Sequence, residues 1–339
     1  MKTKTTLIAL AVSLLLAACG GGGGGGGSST PVVTTPPVVT PPVPTPTSDL
    51  QTTVPALTYA AGSQEAAFVN AYNDFRSTLG LGKLAQDARL DLAAQNHVKY
   101  HALNTDLNLF ATDAKTGRPV FHIEDPVRPG FTGIQEVDRA AFAKYTGGYV
   151  GESAAFSNGR GAVAAFNDLV ATVYHRAGLM FQFPRDIGVA IGTDSLQSVV
   201  MEYGYQSKGQ FNAPDYFGVY PADKQTAVSL VTARELPSPF PEITQDQFET
   251  KTSYPINVVS AANTTLTVST FTVTAAGDAA PLSARILTKS NDPNKYLEAN
   301  TAYLVGNAPF KPATVYTVVF SGSVNGTVIN KTWSFTTRS

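Results

Sequence analysis

The region that follows residue 60 has the apolar spacing of an amphipathic helix. Phe68, Tyr72 and Phe75 recur at positions i, i+4 and i+7, which places them on one helix face. Ser63 precedes this pattern and is a suitable N-cap, because its hydroxyl can accept a hydrogen bond from a free backbone N–H. We therefore predict a helix that begins at residue 64 and ends at the glycine-containing stretch Gly80–Gly82.

Two further helices and three strands are predicted before residue 225. The apolar periodicity indicates helices at about residues 87–103 and 161–173. Helices followed by consecutive strands are typical of the α+β class, with an antiparallel sheet covered by helices. The strand-like runs are Ile187–Ile191, Ser198–Tyr203 and Tyr216–Tyr220.

The pattern changes to short strands in the C-terminal part of the chain. Leu236–Pro241 has the composition of a linker. Beyond it, runs rich in Thr, Val and Tyr alternate with turn residues, and Asn325-Gly326 is a strong hairpin signal. About seven short strands in this length predict an immunoglobulin-like β-sandwich at residues 240–339, with a spacer or surface-binding role. The runs are Tyr254–Val259, Thr265–Val268, Phe271–Thr274, Ser283–Leu287, Thr301–Leu304, Thr314–Phe320 and Val328–Phe335.

The extreme N-terminus has the features of a secretory signal. Lys2 and Lys4 precede the apolar run Leu7–Ala18, which is shorter than the roughly 20 residues that a transmembrane helix needs. The sequence Leu16-Ala17-Ala18-Cys19 resembles the bacterial lipobox, in which the cysteine receives acyl chains such as palmitate and becomes the mature N-terminus. We predict a signal peptide at residues 1–18 and a lipidated Cys19 that anchors the protein in a membrane.

The segment after Cys19 has the composition of a tether. Residues 20–27 are all glycine, and Ser28–Thr47 consists mainly of Pro, Thr and Val. Such sequences form flexible and extended spacers. We assign residues 19–54 to this tether. Because Gly20 and not an aspartate follows the cysteine, the resemblance to Gram-negative lipoproteins implies the outer membrane of the cell envelope.

Composition excludes several classes of function. The net charge of −1 and the lack of a Lys/Arg cluster beyond the N-terminus argue against nucleic-acid binding. The single cysteine excludes an internal disulfide and a cysteine-based metal site. The chain also lacks a Gly-x-Ser-x-Gly nucleophile motif, so an enzymatic role has little support from motifs.

Five short motifs occur in order along the first half of the chain. They are Asn73-Asp74-Phe75-Arg76 with Gly80-Leu81, Leu84 and a helix containing Ala93 to Tyr100; Phe121-His122; Gly151-Glu152-Ser153-Ala154; Tyr174-His175-Arg176; and Ile187-Gly188-Val189-Ala190. Together they resemble the CAP superfamily, which comprises the cysteine-rich secretory, antigen 5 and pathogenesis-related 1 proteins and is also called the SCP-like extracellular domain. The resemblance implies an α-β-α sandwich, which we assign to residues 55–235.

The resemblance also implies a central cleft with two histidines and two acids. His122, Glu152 and His175 match three of these positions, and Asp168 lies near the fourth, where the family usually has glutamate. Aspartate is shorter by one methylene. Ser153 replaces the asparagine of the family motif, which changes the hydrogen bonding behind Glu152.

Three interpretations of these four residues remain open. His122, His175 and Glu152 are a plausible ligand set for Zn²⁺, and a bound metal with an open position could activate water for hydrolysis. Without metal, His and Glu could act as a general acid/base pair. Alternatively, the group is a structural hydrogen-bond network or the wall of a binding cleft.

Other polar residues near the motifs are assigned mainly structural roles. His97 and His101 continue the apolar stripe of the second helix, and we interpret them as core or cavity-wall residues. Glu124 either reaches the cavity or faces solvent, the second being more usual for a loop acid. For Arg176 we favour a carboxylate partner that holds the turn at His175, with an anionic ligand as the alternative.

The sequence favours binding over catalysis as the function. We predict an envelope-anchored protein whose cleft binds a lipid, an envelope component or a protein partner, with or without a divalent metal. A metal-dependent hydrolase, resembling a protease or nuclease and using His122, Glu152 and His175, is the alternative.

Overall fold

The computed structural model describes residues 47–193 and 196–339. The predicted signal peptide, Cys19 and the tether up to residue 46 lie outside the described residues. None of the helices in the described ranges is long and apolar enough to cross a lipid bilayer.

Helices dominate the first half of the described chain. Ser63 Oγ accepts a hydrogen bond from Ala66 N at 3.2 Å, and Asp87 Oδ1 accepts one from Arg89 N at 2.9 Å. These caps fix the starts of the first two helices, so both predicted helices are confirmed. The helices are α1 Gln64–Thr78, α2 Ala88–Leu103, α3 Glu136–Phe142, α4 Ala162–Val170, α5 Tyr174–Leu179 and α6 Phe248–Lys251.

A four-stranded sheet lies against these helices and carries part of the candidate site. Its strands are β1 Ala85–Gln86, β2 Tyr149–Phe156, β3 Asp186–Ile191 and β4 Ser198–Tyr205, in the order β1-β3-β4-β2. The β3–β4 and β4–β2 pairs are antiparallel, whereas β1 runs parallel to β3. The sequence patterns did not predict β2, the strand on which Glu152 lies.

Apart from a short helical segment at residues 245–251, the C-terminal part consists of strands and forms two more sheets. One has the order β5-β7-β10-β9 and the other β6-β12-β11-β8. The α+β class is therefore confirmed for the chain as a whole, with a C-terminal region of strands; the immunoglobulin-like topology stays a prediction. The strands are β5 Phe217–Tyr220, β6 Gln225–Val228, β7 Ile256–Ser260, β8 Leu266–Ala275, β9 Ala284–Thr288, β10 Thr301–Gly306, β11 Val315–Val324 and β12 Thr327–Thr337.

Two details of the strand prediction differ from the structure. The run at 216–220, expected in the first sheet, pairs instead with β7 of the C-terminal region. The two runs within 265–274 form one strand, β8, which continues past a register shift opposite Ser321 and Gly322. A local irregularity of this kind interrupts the alternating pattern without ending the strand.

The predicted hairpin at Asn325-Gly326 is present. These residues connect β11 to β12, and their φ angles are +48° and +84°. Two-residue hairpin loops of type I′ require positive φ at both positions, which Asn and Gly adopt at low cost. The sequence signal therefore identifies both the turn and the register of this strand pair.

The segment predicted as a linker is part of a continuous hydrophobic core. Phe240 is 1% exposed and its ring packs edge-on against Phe248 at a centroid distance of 5.5 Å. One cluster of buried apolar side chains contains residues of α1 and α4 together with residues of both C-terminal sheets. Because apolar burial is the main favourable term in folding, we expect the helical part and the C-terminal sheets to unfold together.

Arg176 is fully buried where α5 meets the C-terminal sheet. Its guanidinium donates to the carbonyl oxygens of Val170 and Pro255 and to Asn257 Oδ1, the last at 3.1 Å. It also lies over the rings of Tyr220 and Tyr254, 4.9 and 4.6 Å from their centroids. The expectation of a carboxylate partner was wrong. Neutral acceptors and aromatic faces hold this charge instead, and thereby fix α5 against the sheet.

Candidate functional site

Glu152 lies at the centre of the candidate site. In the β2–β4 pair it is directly opposite Glu202, and both side chains are fully buried. Glu152 Oε1 is 2.5 Å from His122 Nδ1, and Glu152 Oε2 is 2.5 Å from Arg139 Nη2. The carboxylate is therefore held on one side by an imidazole and on the other by a buried guanidinium.

The surroundings set opposite protonation states for the two glutamates. Burial opposes ionisation of Glu152, but the charge of Arg139 and the nearby His97 and His122 hold its pKa well below the usual range. Burial, followed by the charge of Glu152, raises the pKa of Glu202 well above the usual range. Arg139 Nε lies 3.5 Å from Glu202 Oε1. The surroundings therefore favour the ionised form of Glu152 and the protonated form of Glu202.

His97 and His101 form the buried wall behind this pair. They are 0% and 4% exposed, and Nε2 of each ring lies within hydrogen-bond distance of the Phe121 carbonyl oxygen. His97 Nδ1 is 2.9 Å from Glu124 Oε1. Burial, followed by the charge of His97, lowers the pKa of His101 to about 3, so this ring is neutral. The interpretation of both histidines as core residues agrees with this arrangement.

Glu124 faces inward, which was the less usual of the two alternatives for a loop acid. It is fully buried, and Oε2 accepts hydrogen bonds from the backbone N–H groups of Thr132 and Gly133 at 2.6 and 3.2 Å. Together with its contact to His97, these bonds fasten the loop after the 3₁₀ turn Val120–His122. The 3₁₀ turn, which ends at His122, thereby fixes the direction of the His122 side chain.

His175 has an acidic partner that the sequence did not indicate. His175 lies in the first turn of α5, and its partner is Glu235. The Glu235 carboxylate accepts hydrogen bonds from Val173 N at 2.7 Å and Tyr174 N at 2.9 Å. Glu235 Oε2 is also 3.4 Å from His175 Nδ1. Glu235 satisfies free N–H groups at the helix start, where a negative charge is favourable.

Asp168 does not take the predicted place beside His175. It lies on the outer side of α4 and pairs with Arg160, with Nη2 and Oδ2 2.5 Å apart and both side chains about half exposed. The buried residues of α4 are those of its other face, such as Phe166 and Leu169. The helix phase therefore turns Asp168 to solvent, and Glu235 is the acid that contacts His175.

His122 and His175 are the members of the group that reach the surface. Their side chains are 15% and 18% exposed, whereas those of Glu152 and Glu235 are fully buried. The two imidazoles are close enough that His175 contributes to the lowering of the His122 pKa, for which burial is the larger cause. We refer to the surface presented by His122 and His175 as the cleft.

The described residues do not assemble an obvious metal centre. Within 47–193 and 196–339, no group of three or more His, Cys, Asp or Glu side chains is arranged to hold a metal ion. Glu152, the third predicted ligand beside His122 and His175, is already bound to Arg139. The donor set available at the cleft is therefore two imidazoles, one fewer than the three protein ligands of a typical catalytic zinc site.

Three charged residues of the site were not predicted from the sequence. Arg139, Glu202 and Glu235 hold the two carboxylate–imidazole pairs together. One signal was available for Glu202, which interrupts the otherwise apolar run of β4 and is therefore buried with it. Glu235 gave no such signal, because it is separated from His175 by 60 residues.

One family model matches part of the chain. Residues 69–203 match the model of the CAP family, described as the cysteine-rich secretory protein family. No curated protein matches the chain.

Two solved bacterial structures are similar to part of the chain. One is an extracellular protein containing an SCP domain from Bacillus anthracis, with 20% identity and a TM-score of 0.32 over 42% of this chain. The match spans 40% of that protein's length. The other is an outer surface protein from Borrelia burgdorferi, with 16% identity and a TM-score of 0.33, covering 44% of this chain and 97% of the other. Residues 69–203 are thus a CAP domain, and the family predicted from the sequence motifs is confirmed.

Proposed function

We propose that this protein is an envelope-anchored lipoprotein whose CAP domain binds a ligand at the cleft formed by His122 and His175. The observation that carries the proposal is the contrast between the fully buried carboxylates of Glu152 and Glu235 and the two partly exposed imidazoles that lie beside them. Arg139 neutralises Glu152 inside the protein, so the carboxylate serves to orient His122. A few polar side chains held in fixed orientations at the surface are typical of binding sites.

The proposed location rests on the sequence of the N-terminus. Lys2 and Lys4, the apolar run and Cys19 form a lipoprotein signal, and the following residues supply a tether. A lipidated Cys19 would hold the cleft near the membrane surface, where a lipid, an envelope component or a partner protein is available.

Native mass spectrometry of the full chain, extracted from the envelope in mild detergent, tests the binding role. We expect an additional bound mass in the wild-type protein. The double variant His122→Ala/His175→Ala should lose this mass, because both polar groups of the cleft are removed. We expect the affinity of the double variant for the ligand to fall at least about tenfold, and a tenfold fall corresponds to about 1.4 kcal/mol of binding free energy.

Asp168→Ala is the matched control for this experiment, since Asp168 lies outside the cleft and pairs with Arg160 on the surface. The control should keep the bound mass. A bound mass that survives in the double variant would place the ligand elsewhere, and the complete lack of a ligand in the wild type would contradict the binding role.

One observation favours a hydrolase as the second candidate. Glu152 Oε1 faces His122 Nδ1, an arrangement that orients an imidazole as a general base or a metal ligand. The metal-dependent version lacks a third protein ligand, as described above. Calorimetric titration of the full chain with Zn²⁺ distinguishes the candidates.

We expect no saturable Zn²⁺ site at the cleft, because Glu152 is engaged by Arg139. Binding near one equivalent that disappears in His122→Ala/His175→Ala, but not in Asp168→Ala, would overturn this expectation. In that case the hydrolase would become the leading candidate, and peptide and nucleic-acid substrates would be assayed next.

A further inference from the structure

Each imidazole of the cleft has a carboxylate on its Nδ1 side. For His122 this acceptor is Glu152, which is ionised and already accepts a hydrogen bond from Arg139 through its other oxygen. A carboxylate of this kind can only accept, so the proton of a neutral His122 ring belongs on Nδ1. Its Nε2 then carries a lone pair and makes no hydrogen bond to any described residue.

The same logic applies to His175 through Glu235. Both oxygens of Glu235 accept backbone N–H groups, from Val173 and Tyr174, and the side chain is buried. Oε2 lies 3.4 Å from His175 Nδ1 without forming a hydrogen bond, so the contact is electrostatic: a proton on Nδ1 is attracted to the carboxylate and a lone pair there is repelled. The lone pair of a neutral His175 therefore lies on Nε2.

We propose that Glu152 and Glu235 hold both cleft histidines as Nδ1–H tautomers, so that the cleft presents two Nε2 acceptors and takes a neutral, hydroxyl-rich ligand such as an envelope saccharide. This inference rests on the proposed binding function and specifies its ligand class. Hydroxyl groups donate to both bare nitrogens, whereas an unprotonated phosphate or carboxylate has no proton to offer them.

The charges near the cleft also disfavour a cationic ligand. Arg118 is close enough to His122 for its charge to contribute to the lowered pKa of that ring, and Arg139 lies behind it. Two nearby carboxylates are already paired and are not free to attract a cation: Glu152 contacts Arg139, and Glu136 contacts Arg118. A neutral polyol avoids both the repulsion and the desolvation cost of a charged group.

Glu235 is a positioning residue in this scheme, and it lies outside the matched CAP segment of residues 69–203. It belongs to the chain that connects β6 to the C-terminal strands. A residue beyond the matched segment therefore supplies one of the two acids that orient the cleft, a role for which the sequence suggested Asp168.

Nitrogen-15 NMR of the histidine-labelled full chain at about pH 8, where the two tautomers of a histidine ring give different nitrogen signals, tests this assignment. We expect Nδ1–H signatures for both His122 and His175 in the ligand-free protein. Finding the Nε2–H form at either ring would overturn the proposal. This measurement needs no variant and no ligand, so it stands apart from the outcome of the mass-spectrometry experiment.

Glu235→Gln shows whether Glu235 acts on His175. The amide can donate to Nδ1, so His175 should shift towards the Nε2–H tautomer while His122 keeps its signature as an internal control. Asp168→Asn should leave both rings unchanged, because Asp168 is on the surface. A folded Glu235→Gln variant with an unaltered His175 signature would contradict the positioning role.

Two small probes then test the ligand class. Added N-acetylglucosamine should shift the Nε2 signals of both rings in a saturable way. Sulfate, an anion that carries no proton at this pH, should not shift them at the same concentration. A saturable response to sulfate, or the lack of any response to the sugar while the tautomers are as expected, would overturn the hydroxyl-rich ligand class.

Discussion

Glu152→Gln and Glu202→Gln are expected to change stability in opposite directions at pH 7. The first removes the ionised partner of the fully buried Arg139, and breaking a buried pair costs about 3–5 kcal/mol. We expect about 3 kcal/mol, the lower end, because Glu202 lies near enough to ionise in its place. The second replaces an acid held in its protonated form by a neutral side chain of the same shape.

Glu202→Gln should therefore be neutral or stabilising, by on the order of 1 kcal/mol. Urea unfolding of the two full-length variants and the wild type, followed by circular dichroism, gives both values. A loss above about 2 kcal/mol in Glu202→Gln would show that Glu202 is ionised and needed as a partner of Arg139.

The pH dependence of the two glutamates follows from the signs of their pKa shifts. The pKa of Glu152 is lowered in the folded state. Its contribution to the free energy of unfolding is therefore present above about pH 4.3 and is lost as the pH falls through the folded pKa. The pKa of Glu202 is raised, so its contribution to the free energy of unfolding is present below about pH 4.3 and is lost as the pH rises towards the folded pKa. Any advantage of Glu202→Gln should accordingly vanish near pH 4.

Arg176→Met is the second substitution with a large expected effect. It leaves the carbonyl oxygens of Val170 and Pro255 and the amide oxygen of Asn257 without their buried donor. It also removes a cation from the faces of two tyrosine rings. We expect a loss of about 3–5 kcal/mol, measured as a lower urea midpoint of the full chain.

Arg160→Met is the matched control for Arg176→Met, because Arg160 is half exposed and its ion pair with Asp168 is on the surface. Its effect should stay within about 0.5 kcal/mol. A change below about 1 kcal/mol in Arg176→Met would contradict the role assigned to the junction. Two separate unfolding transitions in the wild type would also contradict this role, since the shared core predicts a single transition.

Local signals account for the parts of the fold that were predicted correctly. The cap at Ser63 and the hairpin residues Asn325-Gly326 act through hydrogen bonds and φ angles within a few residues, so they can be recognised in the sequence. The strand β2 lacks a clear alternation, because its buried and half-buried positions include Glu152 and several small residues. That strand was recognised only as a motif.

The charges of the site were harder to predict because their partners are distant in the sequence. The motifs indicated His122, Glu152 and His175, and the structure places all three around the cleft. The fourth position was assigned to Asp168 from its proximity in sequence, yet the phase of α4 turns it outward. Glu235 reaches His175 only because the chain returns to the start of α5 after forming β5 and β6.

The buried junction at Arg176 and Phe240 has a consequence for how such chains can evolve. Recombination that joins a CAP domain to a new C-terminal module works best when few contacts cross the point of exchange. Here an exchange at residues 236–241 would remove the buried acceptors of Arg176 and separate β5 and β6 from their partner strands. It would also divide the shared core. We therefore expect the two parts to be inherited as one unit, with substitutions on either side of the junction constrained by the packing of the other side.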